Sequence, residues 1–148
     1  MKRGLDKFLS PDEQRAVVQS IKDAELRTSG EIRVHIEPKC PTASPIERAV
    51  QVFGELKMHE TKERNAVLIY LAYKSRNFAI IGDKGINERV PADFWNCEKD
   101  TLATHLRAGN PCKGICMVIA QIGENLKNYF PHQDDDINEQ SDEISYSE

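Results

Sequence analysis

Long apolar runs are missing from this sequence of 148 residues. The longest, residues 66–73, has the length of a strand and is far short of the roughly 20 residues that span a bilayer. The first residues are basic, but no apolar stretch follows them. We therefore expect no signal peptide and no transmembrane segment, and these absences predict a cytoplasmic protein.

Motifs of several common enzyme classes are also absent. The chain has no Gly-x-Ser-x-Gly elbow, no phosphate loop and no His-Glu-x-x-His. Its four cysteines include no Cys-x-x-Cys, and Cys112 and Cys116, one helical turn apart, have no pair of histidines at zinc spacing. We interpret the cysteines as reduced, mostly buried thiols.

The charges are unevenly distributed along the chain. Seven of the 24 acidic residues lie in 134–148, which has no Lys or Arg, so the remaining 17 are nearly balanced by 20 basic residues. This pattern predicts a domain over 1–132 and an acidic disordered tail over 133–148. The alternative is a tail that binds cations or a basic partner. Because no basic stripe is present, we expect no nucleic-acid partner.

The first half of the chain predicts helices that alternate with strands. Two Ser-Pro-x-Glu tetrapeptides, at 10–13 and 44–47, have the composition of helix starts. Ile32, Val34 and Ile36 alternate with polar residues, which indicates a strand over 31–37 with one buried face. Residues 66–73 are apolar on both faces, as in a central strand, and 78–81 return as a hairpin partner.

Two more helices complete the predicted order. One holds Phe94, Trp95, Leu102 and Leu106 and ends at Gly109, and the other covers 114–129. A strand, a helix and a second strand form a parallel pair, and the hairpin adds an antiparallel strand. The sequence therefore predicts the α/β class, as a three-layer α/β/α sandwich with a small mixed parallel and antiparallel sheet flanked by helices.

The loop over 82–93 is the stretch with most potential for chemistry. It places Asp83, Asn87, Glu88 and Asp93 directly after a buried strand. Their side-chain oxygens, with free backbone carbonyls, are what a hard cation such as Ca²⁺ needs, and two glycines let the backbone turn tightly. The alternative is a solvated turn in which Asp93 caps the next helix.

The predicted topology brings other polar residues to this loop. If 78–81 run antiparallel to 66–73, Asp83 lies near the starts of both other strands, and hence near Asn65 and Glu31, with Arg64 beside them. Such a group suits an ion or a phosphate. The alternative for Glu31 and Arg64 is a surface ion pair, which contributes little stability.

Several segments of the chain resemble the TPM-domain family, which is named for a thylakoid lumen protein, a photosystem II repair protein and a modulator of levamisole receptors. The matching segments are 29–34 (Ser-Gly-Glu-Ile-Arg-Val), 64–70 (Arg-Asn-Ala-Val-Leu-Ile-Tyr) and 80–86 (Ile-Ile-Gly-Asp-Lys-Gly-Ile), with Arg76, Trp95 and a helix end over 123–131. Their order and spacing over 8–131 carry the resemblance, which suits a single-domain bacterial form.

The resemblance implies a mixed sheet between helices and a divalent-ion site, usually for calcium, near the acidic glycine loop. Some members are described as acid phosphatases. Many relatives have a tighter Gly-x-Gly-Leu-Glu loop, and most are exported or membrane-anchored. Transferred residue by residue, the metal ligands would be Asp83, Glu88, Glu31, Asn65 and Asp93, and a phosphatase would bind phosphate through Arg64 and Lys84.

Three functions follow from these observations. The favoured one is a TPM-type domain that binds a divalent cation, most often calcium, and acts as an interaction or regulatory module. The second is a metal-dependent acid phosphatase that hydrolyses phosphate monoesters, with Asp83 or Glu88 as ligand or base. The third is a protein-assembly partner that uses its surface or tail without a metal.

Overall fold

The structure, a computed structural model, describes residues 3–133 and 139–148. None of the helices in these ranges is long and apolar enough to cross a membrane. The elements in chain order are α1 (Arg3–Phe8), α2 (Pro11–Glu25), β1 (Glu31–Glu37), α3 (Pro45–Glu55), a short 3₁₀ helix (Met58–Glu60), β2 (Ala66–Ala72), β3 (Asn77–Gly82), α4 (Lys84–Asn87), α5 (Asn96–Arg107), α6 (Pro111–Leu126) and β4 (Ser145–Tyr146).

Four strands form one sheet in the order β3-β2-β1-β4. β1 and β2 run parallel, with Glu31 opposite Ala66, and β3 runs antiparallel to β2, with Gly82 opposite Val67. The prediction of a small mixed sheet is therefore confirmed.

Helices cover both faces of the sheet, which confirms the three-layer sandwich. Ile32, Val34 and Ile36 belong to the larger core, together with the buried residues of α2, α5 and α6. The opposite face packs against α3, where Val52 and Tyr70 lie in a smaller core. β2 is buried along its whole length because it contributes to both cores.

The two Ser-Pro-x-Glu tetrapeptides begin helices as predicted. The Ser10 hydroxyl accepts a hydrogen bond from the backbone N–H of Glu13 at 3.2 Å, and the Glu13 carboxylate accepts one from the backbone N–H of Ser10 at 2.9 Å. The Ser44 hydroxyl caps α3 by accepting from the backbone N–H of Glu47, without the reciprocal bond seen at Ser10. Such a cap contributes about 1 kcal/mol to helix stability.

Several predicted boundaries differ from the structure. Phe94 and Trp95 precede α5 instead of lying in it, and α6 begins at Pro111, three residues earlier than predicted, because proline suits the first turn of a helix. Gly109 ends the preceding helix as predicted and has a φ of 79°. The cysteines are unpaired, but none of the four is fully buried.

The C-terminal segment 139–148 differs from the predicted disordered tail. Ser145 and Tyr146 pair in parallel with His35 and Ile36, and Ile144 is only 7% exposed. The physical reason is that Ile144 and Tyr146 can cover the open edge of β1 despite the acidic residues around them. Residues 134–138, which hold three of the predicted tail's acids, lie outside the described residues.

Candidate functional site

Asp83 lies where β3 ends. Its backbone N–H continues the strand pairing by donating to the carbonyl of Ala66 at 2.9 Å. Its carboxylate then caps α4 by accepting from the backbone N–H of Lys84 at 2.7 Å. The residue is 7% exposed, so a carboxylate is held almost out of water at this end of the sheet.

Arg64 is the partner of Asp83. The Arg64 Nε donates to Oδ2 at 2.7 Å and Nη2 donates to Oδ1 at 3.0 Å, a bidentate ion pair. These bonds raise the pKa of Arg64 above its ordinary value. Arg64 has a φ of 52°, a left-handed backbone that is uncommon for arginine, while its side chain remains 44% exposed. The pair is therefore at the edge of solvent.

Gly85 is required by close packing and not by a tight turn of the backbone. Residues 84–87 form the short helix α4, and Gly85 is not among the positions of positive φ. A Cβ at Gly85 would lie 2.1 Å from the carbonyl oxygen of Glu63 and 2.6 Å from that of Arg64. Glycine is needed here because the backbone before β2 passes directly over α4.

A cavity of about 500 Å³ lies between α3 and α4, and we refer to it as the α3–α4 cavity. Its apolar wall is formed by Val50, Phe53 and Ile81. Its polar wall consists of Asp83 with three exposed residues, which are Lys84, Asn87 and Glu88. Two carboxylates against one ammonium group give this lining a net charge of −1.

Glu31 and Asn65 lie at the same end of the sheet as Asp83, as the predicted topology requires. The backbone N–H of Glu31 donates to the carbonyl of Asn65 at 3.3 Å. Their side chains, however, have separate partners: the Asn65 amide donates to the Ser29 hydroxyl at 3.2 Å, and the Glu31 carboxylate accepts from the backbone N–H of Glu139. Neither residue lines the α3–α4 cavity.

Asp93 is separated from the other predicted ligands. It is exposed in the turn before α5, and its backbone carbonyl accepts from the N–H of Asn96 at 3.1 Å. Its side chain does not cap α5, because Trp95 occupies the capping position and no side-chain cap is present there. Both sequence-based roles of Asp93, a ligand beside Asp83 and a helix cap, therefore lack a supporting contact.

A second group of carboxylates, which the sequence did not suggest, lies where the C-terminal segment crosses the sheet edge. Glu25 accepts from the backbone N–H of Ile32 at 3.1 Å and interacts with Glu31 and Asp142. Burial and the hydrogen bond with Asp142 raise the pKa of Glu25 to about 10, and burial also raises the pKa of Glu31. Glu25 and Glu31 interact directly, and burial therefore favours a proton shared by this pair at neutral pH.

This proton gives the stability of the fold a defined pH dependence. Because the pKa of Glu25 is raised on folding, its contribution is complete below the unfolded pKa of 4.5 and is lost as the pH rises through about 10. Between pH 6 and pH 10 the free energy of unfolding should fall by up to about 1.4 kcal/mol per pH unit more in the wild type than in Glu25→Gln. Urea denaturation across this range measures the difference.

Glu143→Gln is the matched control for this prediction, because Glu143 is exposed in the same C-terminal segment. Its stability should follow the wild type at every pH. The prediction is wrong if the free energy of unfolding changes with pH by the same amount in the wild type and in Glu25→Gln. Such a result would show that folding does not favour the protonated form of Glu25.

Within residues 3–133 and 139–148, no three His, Cys, Asp or Glu side chains are arranged so that they could hold a metal ion. The predicted ligand set is instead divided between the Arg64–Asp83 pair, the carboxylates around Glu31 and the exposed Asp93. The strand directions bring Glu31, Asn65 and Asp83 to one end of the sheet, as predicted. The sequence could not show which side chains face each other there.

The chain was compared with known proteins at the level of sequence and of fold. A sequence model described as the TPM domain matches residues 5–125. The NMR structure of the BA42 protein from the psychrophilic bacterium Bizionia argentinensis is 43% identical, with a TM-score of 0.89 over 95% of this chain and 96% of that chain. The NMR structure of the N-terminal domain of cg2496 protein from Corynebacterium glutamicum has a TM-score of 0.64 over 95% of this chain and 80% of that chain.

The cg2496 domain is only 12% identical to this chain and therefore shows the fold alone. No curated protein is significantly similar to the chain. The fold and the cavity define a small α/β sandwich domain with a polar site at the end of its sheet. The chain belongs to the TPM-domain family, as its match over 5–125 and its similarity to BA42 show.

Proposed function

We propose that this TPM domain binds a divalent cation, calcium in the first place, in the α3–α4 cavity and acts as a noncatalytic interaction or regulatory module. The observation that carries the proposal is the buried carboxylate of Asp83, which shares this cavity with Glu88 and Asn87. Carboxylate and amide oxygens are the ligands that calcium prefers.

The side-chain oxygens that line the α3–α4 cavity are suitable ligands for a hard cation. The Asn87 amide group donates to the carbonyl of Gly82 at 3.0 Å, which leaves its oxygen as an acceptor. Asp83 is held by Arg64, so the guanidinium competes with any metal ion for this carboxylate. Glu31, Asn65 and Asp93 do not line the cavity, and the proposal does not depend on them.

Competition between Arg64 and calcium gives two variants with opposite expected effects. Asp83→Asn keeps a capping side chain on α4 but removes the charge, so calcium binding should be lost. Arg64→Gln frees the carboxylate and should tighten binding by at most about fivefold, because a guanidinium at the edge of solvent competes only weakly for it. Isothermal calorimetry with CaCl₂ measures both effects.

Asp93→Asn is the control, since it removes a carboxylate from the same stretch of chain but outside the cavity. Its calcium affinity should equal that of the wild type. Unchanged binding in Asp83→Asn would place the ion elsewhere and refute this site. If the wild type gives no heat of binding, the metal-free assembly partner becomes the preferred function.

A metal-dependent phosphatase is the second candidate, because some TPM domains are described as acid phosphatases and Lys84 lies beside Asp83 and Glu88. The lining of the α3–α4 cavity supports a phosphatase less well than it supports a calcium-binding module. Arg64 is already neutralised by Asp83, and the negative lining would repel a phosphate monoester. Calcium- or magnesium-dependent hydrolysis of p-nitrophenyl phosphate that is lost in Asp83→Asn would establish this activity instead.

A further inference from the structure

A second cavity lies at the opposite end of the sheet from Asp83. It has a volume of about 780 Å³ and lies between the β2–β3 turn, the end of α1 and the end of α5; we refer to it as the hairpin cleft. β3 runs from Asn77 at the cleft to Gly82 beside Asp83, a separation of about 17 Å along the strand. The hairpin cleft is therefore independent of the proposed cation site.

The walls of the hairpin cleft suit a flat apolar group. The rings of Phe8 and Tyr73 are stacked, with centroids 4.9 Å apart and planes at 12°. Phe78 and Leu106 also line the cleft and, like both stacked rings, are only partly buried. Aromatic surfaces of this kind stack well on the ring of a ligand.

Two arginines give the hairpin cleft a positive charge. Arg76 and Arg107 line it and are exposed, and within the described part of the chain neither guanidinium forms an ion pair with a carboxylate. Among the residues that the structure describes, none of those lining the cleft is acidic. Guanidinium groups bind carboxylates through paired hydrogen bonds, so this lining is complementary to an organic acid.

The backbone at Arg76 supports a role for its side chain. Arg76 has a φ of 57° in the β2–β3 turn, a position where glycine or asparagine is favoured. Residues held in such conformations cluster at binding sites. Arg107 has a simpler structural explanation, since cations are favoured in the last turn of a helix, but that explanation does not apply to Arg76.

We propose that the hairpin cleft binds a small aromatic carboxylate, with its ring against Phe8 and Tyr73 and its carboxylate between Arg76 and Arg107. The class of ligand follows from the flat apolar wall combined with two guanidinium groups, which have no acidic neighbour among the described residues of the cleft. A neutral ring of the same shape keeps the stacking but loses the charge interaction, so it binds more weakly.

The test is an NMR titration of the full chain with 2-naphthoate as the probe. Backbone amide shifts should saturate with a Kd on the order of 1 mM or tighter and should be largest around residues 8, 73–78 and 106–109. 2-Naphthamide, which has the same ring and no charge, should bind at least about fivefold more weakly. The same spectra report whether each variant is folded.

Two substitutions remove the charges separately. Arg76→Gly keeps a residue suited to positive φ, and Arg107→Gln keeps a polar side chain in the last turn of α5; each should weaken 2-naphthoate binding at least about fivefold. Arg27→Gln is the control, because Arg27 is also exposed but lies beside Glu124, away from the cleft, and it should leave the Kd unchanged.

Three results would overturn the proposal. The first is the absence of saturable shifts in the wild type, and the second is shifts centred outside the hairpin cleft. The third is binding of 2-naphthamide as tight as that of 2-naphthoate, which would leave no role for the arginines. None of the three needs a variant, so the test stands even if a substituted chain fails to fold.

Discussion

Replacing Arg48 with alanine should lower the free energy of unfolding by about 3 kcal/mol at pH 7, because it leaves a buried carboxylate without its partner. Glu37 ends β1 with a side chain that is 5% exposed. It accepts from the Arg48 Nε at 2.9 Å and from Nη2 at 3.0 Å, and the Tyr70 hydroxyl also donates to it. Urea denaturation measures the loss.

The effect of Arg48→Ala should also depend on pH in a defined direction. Burial alone would raise the pKa of Glu37, but the hydrogen bonds from Arg48 and Tyr70 outweigh it and lower the pKa. The pair therefore contributes fully above the unfolded pKa of 4.5, and its contribution is lost as the pH falls through the folded value. The difference between wild type and variant should shrink in acid.

Arg15→Ala provides the control for this prediction. Arg15 pairs with Asp12 on the surface of α2, where the two side chains are 72% and 88% exposed. Removing an exposed pair should cost about 0.5 kcal/mol or less. If Arg48→Ala costs no more than Arg15→Ala, Glu37 is either not buried in solution or finds another partner.

The second large effect is expected at Gly85. Gly85→Ala should lower the free energy of unfolding by about 3 kcal/mol, since the new methyl group would meet two backbone carbonyl oxygens that cannot rotate away. Relief of the clash would separate α4 from residues 63–64 and break the 2.8 Å hydrogen bond from the N–H of Gly85 to the carbonyl of Arg64. Thermal unfolding measures the destabilisation.

Gly54→Ala makes the same chemical change where the opposite sign is expected. Gly54 lies in the last turn of α3, and a Cβ there would meet nothing within 4 Å among the described residues. Alanine should therefore raise the free energy of unfolding by about 0.5 kcal/mol or less, through its higher helix propensity near the end of the helix. If Gly85→Ala changes the free energy of unfolding as little as Gly54→Ala does, α4 does not pack closely on residues 63–64.

Glu31, Asn65 and Asp83 lie at one end of the sheet, as the predicted topology requires, but their side chains do not form one group. Strand polarity placed Glu31, Asn65 and Asp83 at one end, since parallel strands begin at the same edge and a hairpin returns to it. The side chains then found different partners: Arg64 for Asp83, Ser29 for Asn65, and the backbone of Glu139 for Glu31. Spacing in the sequence carries no information about such contacts.

The C-terminal segment also differs from what its composition predicts. Its composition is acidic, and composition alone indicated disorder. His35 nonetheless contacts two of its residues, with Nδ1 2.8 Å from the Ser145 hydroxyl and Nε2 3.0 Å from the Ser147 hydroxyl. Burial lowers the pKa of His35, which favours the neutral ring that both serines can satisfy. A short strand of this kind is stabilised by the edge that it covers.

By itself, the sequence determined the order of the main elements and the three layers, because apolar periodicity and helix caps act over a few residues. Val34 and Ile36 had to face a core, and Ser10 and Ser44 had to begin helices. Only the tertiary structure decided that Arg64 holds Asp83 and that burial beside Asp142 raises the pKa of Glu25. These contacts join residues far apart in the chain, and their energies arise from burial that exists only once the layers have packed.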